Sequence, residues 1–449
     1  MKSLHLLILL SIFAFLYSCQ NDDFISDNNL EESVNTKGVS VNGGLKIAIL
    51  SDIHVMDPSL LVEDGPAFQA YLNQDPKLIQ FSSEILQTTV SNILSQKASS
   101  RPNLILICGD LTKDGEKISH ERVISILNPL LSHGIKVLVT QGNHDINNPE
   151  AVRFIGASIE PVQTIQANEF KTMYGNFGFN DAISTDPNSL SYVNEPVKDL
   201  WVITIDASKY YNNGSKAIGS GIILPETITW VKERLAEAKS KGKTVIGMMH
   251  HGLIEHYVGQ QQFDYGSVID NSDYAVNELI DAGMKIILTG HYHANDITKR
   301  EYNGKFIFDV ETGSTVNYPC TYRLLTITGN TYRFEKQNTT NLMGNTFDSY
   351  AKSFLSDHLV GYFEYVLANL YGIPTSPINY AGMIAPYYVP AAMAHFAGDE
   401  VMPDISSELA TLNAIDQSGN LSFALRTFWT DINTPDNNVT LYMQNGNAK

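Results

Sequence analysis

Five short apolar runs in this 449-residue chain each end in residues able to bind a metal ion, and no other feature constrains the fold as much. The runs are Leu45 to Leu50, Leu104 to Cys108, Ile135 to Val139, Thr244 to Met249 and Lys285 to Leu288, mostly Ile, Val and Leu. They lead into Asp52-Ile53-His54, Gly109-Asp110, Gly142-Asn143-His144-Asp145, His250-His251 and Gly290-His291-Tyr292-His293. Short apolar runs bounded by turn formers read as strands buried on both faces. Between them lie segments of helical period, Lys77 to Lys97, Lys117 to Ser132, Pro225 to Lys241 and Ser272 to Ala282. Further strands are expected at Leu200 to Ile205, Lys305 to Val310 and Tyr322 to Thr328. The alternation predicts an α/β fold, in which neighbouring strands deliver their carboxyl ends to one edge, where ligand sites form. In an extended segment residues i and i+2 point the same way, so Asp52 and His54 are expected to share a direction, as are His291 and His293. The glycines before Asp110, Asn143 and His291 allow sharp turns and close backbone approach.

Two Asp, one Asn and four His form an oxygen and nitrogen donor set without thiolate, suited to Zn, Mn or Fe. Seven ligands are too many for one tetrahedral site and suit two ions about 3.5 to 4 Å apart with a bridging carboxylate. In their order (DxH, GD, GNH followed by Asp, a His block, GHxH) the five blocks resemble the calcineurin-like metallophosphoesterase superfamily, over about Leu45 to Phe334. That resemblance implies a two-layer sandwich of mixed β-sheets flanked by helices. It implies one metal at Asp52, His54, Asp110 and His293, and a second at Asp110, Asn143, His250 and His291. His251 and Asp145 would stand behind the ligands or against substrate.

The implied chemistry is attack of metal-bound hydroxide on phosphorus, with His144 as general acid on the leaving oxygen. Related phosphatases often carry an Asp three positions after the bridging Asp to orient that His. Here the position is Lys113, followed by Asp114, so the orienting group is left open. Purple acid phosphatases place a Tyr ligand there, and Lys113 argues against their iron centre. The Gly109-Asp110-Leu111-Thr112 block looks most like the phosphodiesterase subgroup. The expected substrate is therefore a small phosphodiester. A phosphomonoester is the near alternative, and a cell-envelope binding protein using the fold as scaffold is the non-catalytic one.

Lys and Arg total 30 against 48 Asp and Glu, a formal charge of −18, which opposes binding to a nucleic-acid polymer. Three cysteines exclude a disulfide framework: Cys108 reads as core and Cys320 as loop. His120, His133, His256, His358 and His395 read as core or surface residues, and Asp206 as structural or substrate-side. Tyr71, Tyr174, Tyr257 and Tyr265 lie on long segments where they could stack on a base or a lipid headgroup, or simply pack.

At the N-terminus, Lys2 precedes an apolar stretch from Leu4 to Leu16, too short to span a bilayer. It reads as an export signal. Leu16-Tyr17-Ser18-Cys19 resembles the bacterial lipobox, which implies lipidation of Cys19 and anchoring in the cell envelope, and Asp22-Asp23 resembles the surface-export signals of some Gram-negative lipoproteins. The expected organisation is a signal peptide at 1–18, a flexible tether at 19–43, a phosphoesterase domain at 44–337 and an appended region at 338–449. In the last, Asp348 to Asn369 reads as an aromatic helix and Ile373 to Pro390 as a Pro- and Tyr-rich loop, together a partly helical cap on the core.

Overall fold

The computed structural model describes residues 44–449 apart from 340, 341, 343, 399 and 433; the signal segment, Cys19 and the tether lie outside the described residues. Two seven-stranded mixed sheets pack face to face. In the first, the spatial order is Asn447–Ala448, Asn438–Tyr442, Thr331–Asn338, Thr321–Thr328, Leu45–Leu50, Leu104–Cys108 and Lys136–Thr140. The second runs Ile297–Tyr302, Lys305–Glu311, Ile286–Thr289, Thr244–Met248, Leu200–Thr204, Tyr192–Val197 and Ser184–Thr185. Leu45–Leu50, Leu104–Cys108 and Lys136–Thr140 pair in parallel, as do the four strands from Leu200–Thr204 across to Lys305–Glu311.

Alternation along each strand explains why both faces are apolar. Leu45, Ile47 and Ile49 point into the core between the sheets, where they join Val202, Met248 and Leu288. Ala48 and Leu50 point outward into a cluster with Leu86 of the Ser82–Ser95 helix and Val123 and Leu127 of the Lys117–Ser132 helix. On the far side, Trp201, Ile203 and Ile287 meet Val231, Leu235, Val276 and Leu279 of the helices Pro225–Ser240 and Ser272–Ala282. Each such fully buried side chain contributes about 1.5–3 kcal/mol. The sandwich flanked by helices is thus the expected fold class. The Lys77 to Lys97 segment is shorter as a helix than its periodicity suggests. Leu78 N donates to Val316 O at 2.8 Å, which ties the chain down before a 3₁₀ turn at Ile79–Phe81.

The C-terminal region contains helices Phe347–Asn369, Tyr380–Ala397, Ser406–Ile415 and Asn420–Phe428. The expected loop from Ile373 to Pro390 is corrected: its second half belongs to the Tyr380–Ala397 helix, with Pro386 and Pro390 inside it. An interior proline costs about 3 kcal/mol. Burial of Ile384, Ala385, Tyr388, Val389 and Ala392 against Leu355, Leu359 and Phe363 of the neighbouring helix offsets that cost. The chain then returns to the first sheet, where Asn438–Tyr442 pairs antiparallel with Thr331–Asn338. Just before it, the Asp436 carboxylate accepts from Ile297 N at 2.9 Å, and Asn437 Oδ1 accepts from Asn295 Nδ2 at 2.6 Å. The end of the helical region is therefore pinned to the loop that follows His293. Among the described residues no helix is long and apolar enough to cross a membrane.

Beside this seam His256 is fully buried, with Nδ1 2.7 Å from Asp296 Oδ1 and Nε2 3.5 Å from both Asp309 and Glu311. Burial favours the neutral ring, but Asp296 and Glu311 outweigh it and hold the imidazole charged well above its ordinary range. His256→Ala would remove the cation that faces Asp296, Asp309 and Glu311, although Asp309 keeps Leu253 N, Ile254 N and Thr289 Oγ1 as donors. It should lower unfolding free energy by about 3–5 kcal/mol in urea titrations, whereas a loss below 1 kcal/mol would show the cluster to be self-sufficient.

Candidate metal centre

All five predicted blocks meet at one edge, three from the first sheet and two from the second. The backbone is strained where they meet: φ is 49° at Asp52, 37° at His54, 47° at Asp110, 77° at His291 and 66° at His293. Left-handed backbone at non-glycine residues costs about 1–3 kcal/mol and concentrates at functional sites. Here it is held by Asp52 N→Gly109 O at 3.1 Å and His54 N→Asp110 O at 2.9 Å. These angles correct the extended reading of the two i, i+2 pairs. Asp52 and His54 fall in one cluster, whereas His291 and His293 fall in different ones.

In the first cluster Asp52 Oδ1 lies 3.8 Å from His54 Nε2 and 3.3 Å from His293 Nε2, while the two imidazole nitrogens face each other at 3.2 Å. In the second, His250 Nε2 lies 3.3 Å from Asp110 Oδ2, 3.1 Å from Asn143 Oδ1 and 3.2 Å from His291 Nδ1. Asp110 Oδ2 is also 3.6 Å from His54 Nε2, so it touches both groups.

The donor atoms are free to take a cation. Asp52 Oδ2 accepts from Ser51 Oγ and from His291 N at 2.9 Å, whereas Oδ1 is buried without a hydrogen-bond donor. His250 Nδ1 donates to Cys108 O at 2.8 Å, and His291 Nε2 donates to Gly266 O at 3.1 Å. Each bond orients its ring so that the opposite nitrogen faces the cluster. Burial holds the His291 imidazole well below its ordinary range, whereas at His250 burial is outweighed by Asp110, which raises the pKa to about 9. Burial raises the Asp110 carboxyl, but His250 and His144 outweigh it and hold it well below the usual carboxylate range.

Backbone approach is as close as the glycines suggested. A Cβ on Gly142 would sit 2.0 Å from Asp110 Oδ1, and one on Gly109 would sit 2.4 Å from His250 Nδ1. Asp145 is wholly buried and accepts from Leu111 N, Thr112 N and Gly142 N at 2.8–3.0 Å, tying two of the loops together rather than facing solvent. His251 lies outside both clusters. Its Nε2 donates to Gly219 O at 2.9 Å, and burial with the neighbouring His250 holds its pKa down to about 3.

His144 faces the centre with its side chain 21% exposed; Nε2 is 3.9 Å from Asp110 Oδ2 and Nδ1 is 2.9 Å from Asp114 Oδ1. Asp114 is therefore the orienting group left open above. Lys113, at the position where relatives carry the Asp, is fully buried and pairs with Asp114 and with Glu116 at 2.8 Å. Burial and the charge of Lys77 pull the His144 pKa down, but Asp110 and Asp114 outweigh them and raise it to about 9.

Lys77 itself had no signal in the sequence. It is buried, paired to Asp75 at 2.8 Å, and its charge reaches both His54 and His144. Tyr174 packs in the core against His120, and Tyr257 is buried and stacked on Phe428. Tyr71 covers Lys113, and Tyr265 is 76% exposed. Asp206 accepts from Leu190 N, Ser208 N and the Tyr210 hydroxyl, a scaffold role.

An α/β sandwich with two histidine–carboxylate groups joined at one aspartate defines a class of metal-dependent hydrolases. Residues 45–295, more than half of the chain, match the calcineurin-like phosphoesterase family, and the chain belongs to it. Hydrolysis of phosphoric esters with divalent metal ions is that family's chemistry. No curated protein matches the chain. Among solved structures it is similar to a dimetal phosphatase from Danio rerio, at 12% identity over 66% of this chain and 97% of that one, TM-score 0.45. It is also similar to a putative 5'-nucleotidase from Staphylococcus aureus, at 14% identity over 70% of this chain and 59% of that one, TM-score 0.37. A third is the phosphopantetheinyl hydrolase of Mycobacterium tuberculosis, at 12% identity, 61% and 91% coverage and TM-score 0.30.

Gly142→Ala would press its Cβ on both the carboxylate and the backbone nitrogen of Asp110 and should lower bound metal at least tenfold by elemental analysis. Full metal content in that variant would mean that Asp110 is not positioned by this contact.

Proposed function

We propose that the chain hydrolyses a small phosphodiester at this centre, with two divalent ions held by the two clusters and His144 protonating the leaving oxygen. The observation that carries the reading is the position of Asp110 Oδ2, 3.6 Å from His54 Nε2 and 3.3 Å from His250 Nε2, as a bridge requires. Asp52, His54, Asp110 and His293 would hold one ion and Asp110, Asn143, His250 and His291 the other; nitrogen with oxygen donors suits Zn, Mn or Fe. Bound there, the ions would activate water and stabilise charge on the phosphoryl oxygens.

The remaining work belongs to side chains. Asp114 holds His144 Nδ1, which turns Nε2 toward the centre, and against burial Asp110 and Asp114 together raise the ring's pKa to about 9. Cations on Asp110 would cancel its share of the raised pKa, but the Asp114 bond would remain. Charge in the cavity that His291 and His293 line supports a diester. Asp75 and Asp264 line it, Lys77 is already paired to Asp75, and no Arg or Lys is among the lining residues. A monoester dianion meets more repulsion there than a diester monoanion. The Gly109-Asp110-Leu111-Thr112 block points the same way. The lipobox-like Leu16-Tyr17-Ser18-Cys19 supports action in the bacterial envelope on a lipid anchor.

The purified protein should contain about two metals per chain and turn over bis(p-nitrophenyl) phosphate faster than p-nitrophenyl phosphate, with loss of both activities in chelator. The reverse preference would make it a monoesterase, and metal without turnover a binding protein. His144→Ala should keep its metal and lose on the order of 10²–10⁴ in kcat with a poor alkoxide leaving group, but far less with p-nitrophenolate. Equal losses on both would rule out proton donation.

A further inference from the structure

A cavity of about 280 Å³ opens directly beside His291 and His293 and runs into the C-terminal helices. Its two ends differ in chemistry. At the metal-centre end it is bounded by polar groups, among them Gln74, Asp75, Asn317 and Ser267. Its far wall is apolar: Leu359, Phe363 and Leu367 from one helix, Tyr388 from the next, Ala424 and Phe428 from the last. Three of the four tyrosines that line the cavity, Tyr362 apart, have a partner for the hydroxyl. Tyr388 donates to Leu421 O at 2.9 Å and Tyr371 to Phe263 O at 3.1 Å, while the Tyr292 hydroxyl lies 3.4 Å from that of Tyr257. Those three hydroxyls are therefore engaged with protein groups.

We infer that this cavity is a subsite for an alkyl or acyl chain, and that the preferred substrate is a phosphodiester carrying such a chain. The inference rests on the phosphodiesterase reading above and names its substrate class. Contact with His291 and His293 places the subsite where a substituent on the reacting phosphorus would emerge. A nucleobase fits the far wall poorly. It presents several donors and acceptors along its edge, and burying them against Leu, Phe and Ala without partners is costly. A hydrocarbon chain loses nothing there and gains from leaving water. The cavity has a route in from solvent as well: Leu370 lines it and is 71% exposed. Tyr365, Ile378 and Met383, in the same helix–loop–helix turn, are also exposed apolar residues.

The test is a series of p-nitrophenyl alkyl phosphates from methyl to decyl, assayed below their micelle concentrations with the metal-loaded protein. The value of kcat/KM should rise by about two- to fourfold per methylene, fourfold being ~0.8 kcal/mol at 1.36 kcal/mol per factor of ten, and then level off when the cavity is full. Ala424→Phe should flatten the series while sparing the methyl ester. Val366→Trp, at a half-buried lining position, should do the same if the first variant folds poorly. A chain-length-independent series in the wild type overturns the inference and leaves the phosphodiesterase reading intact. Preference for a nucleoside p-nitrophenyl phosphate over the octyl ester also overturns it, in favour of a base site.

If no ester is turned over, the catalytic reading fails and calorimetry with butyl to decyl phosphonates decides the cavity alone. Affinity should increase with length, with a negative heat-capacity change that Ala424→Phe abolishes. Binding without length dependence would reject the chain subsite.

Discussion

The hydrogen bond from His250 Nδ1 to the Cys108 carbonyl crosses from one sheet to the other, and the metal centre depends on it. Cys108 ends the strand that delivers Asp110, and His250 follows a strand of the opposite sheet. At 2.8 Å the bond aims His250 Nε2 at Asp110 Oδ2 and joins the two halves of the centre. Its length is fixed by the sheet spacing, which is fixed by Ile47, Ile49, Leu106, Met248 and Leu288 between them. The apolar core therefore acts as a spacer as well as a source of stability. Close-packed interiors transmit strain, so a volume change there would reach the ligands.

The loops at the strand ends are held with comparable redundancy. Asp145 collects amides from two loops, Ser314 Oγ donates to Asp52 O at 2.7 Å, and the left-handed residues are bonded across to neighbouring strand ends. Ligand geometry can be kept without the ion only if the strained backbone has such support. The excess of buried carboxylates and facing imidazoles is the complementary fact, because it leaves the centre poised to gain from a cation.

The strands were legible because each is an apolar run closed by turn formers, and the seven candidate ligands because polar residues that follow buried strands have one edge to occupy. What could not be read was geometry below the scale of a residue. Left-handed backbone at Asp52, His54, His291 and His293 is one such detail, since strand alternation assumes extended residues. Asp114 does from one position further on what an Asp at Lys113 would have done, because the turn at Gly115, with φ 74°, lets the loop deliver the next carboxylate. Lys77 arrives from a loop at a position where helical periodicity places the start of a helix. The Tyr380–Ala397 helix was hidden by Pro386 and Pro390, whose local preference lost to an apolar face packed on a neighbouring helix.

Those C-terminal helices bear on substrate choice through the way they are anchored. They leave the first sheet after Thr331–Asn338 and return to it at Asn438–Tyr442, with Asp436 and Asn437 bonded to the loop just beyond His293. A helical layer fixed at both ends and tied beside a candidate ligand cannot slide far from the centre. The cavity wall and the imidazoles of His291 and His293 thus belong to one rigid frame, so a long chain bound against the helices would constrain where its phosphorus lies. Binding energy gathered remotely can then be used to position the reacting atom rather than only to retain substrate. In this arrangement the two sheets carry the candidate ligands and, on the proposed reading, the helical layer would supply the selection, joined through the few residues around His293.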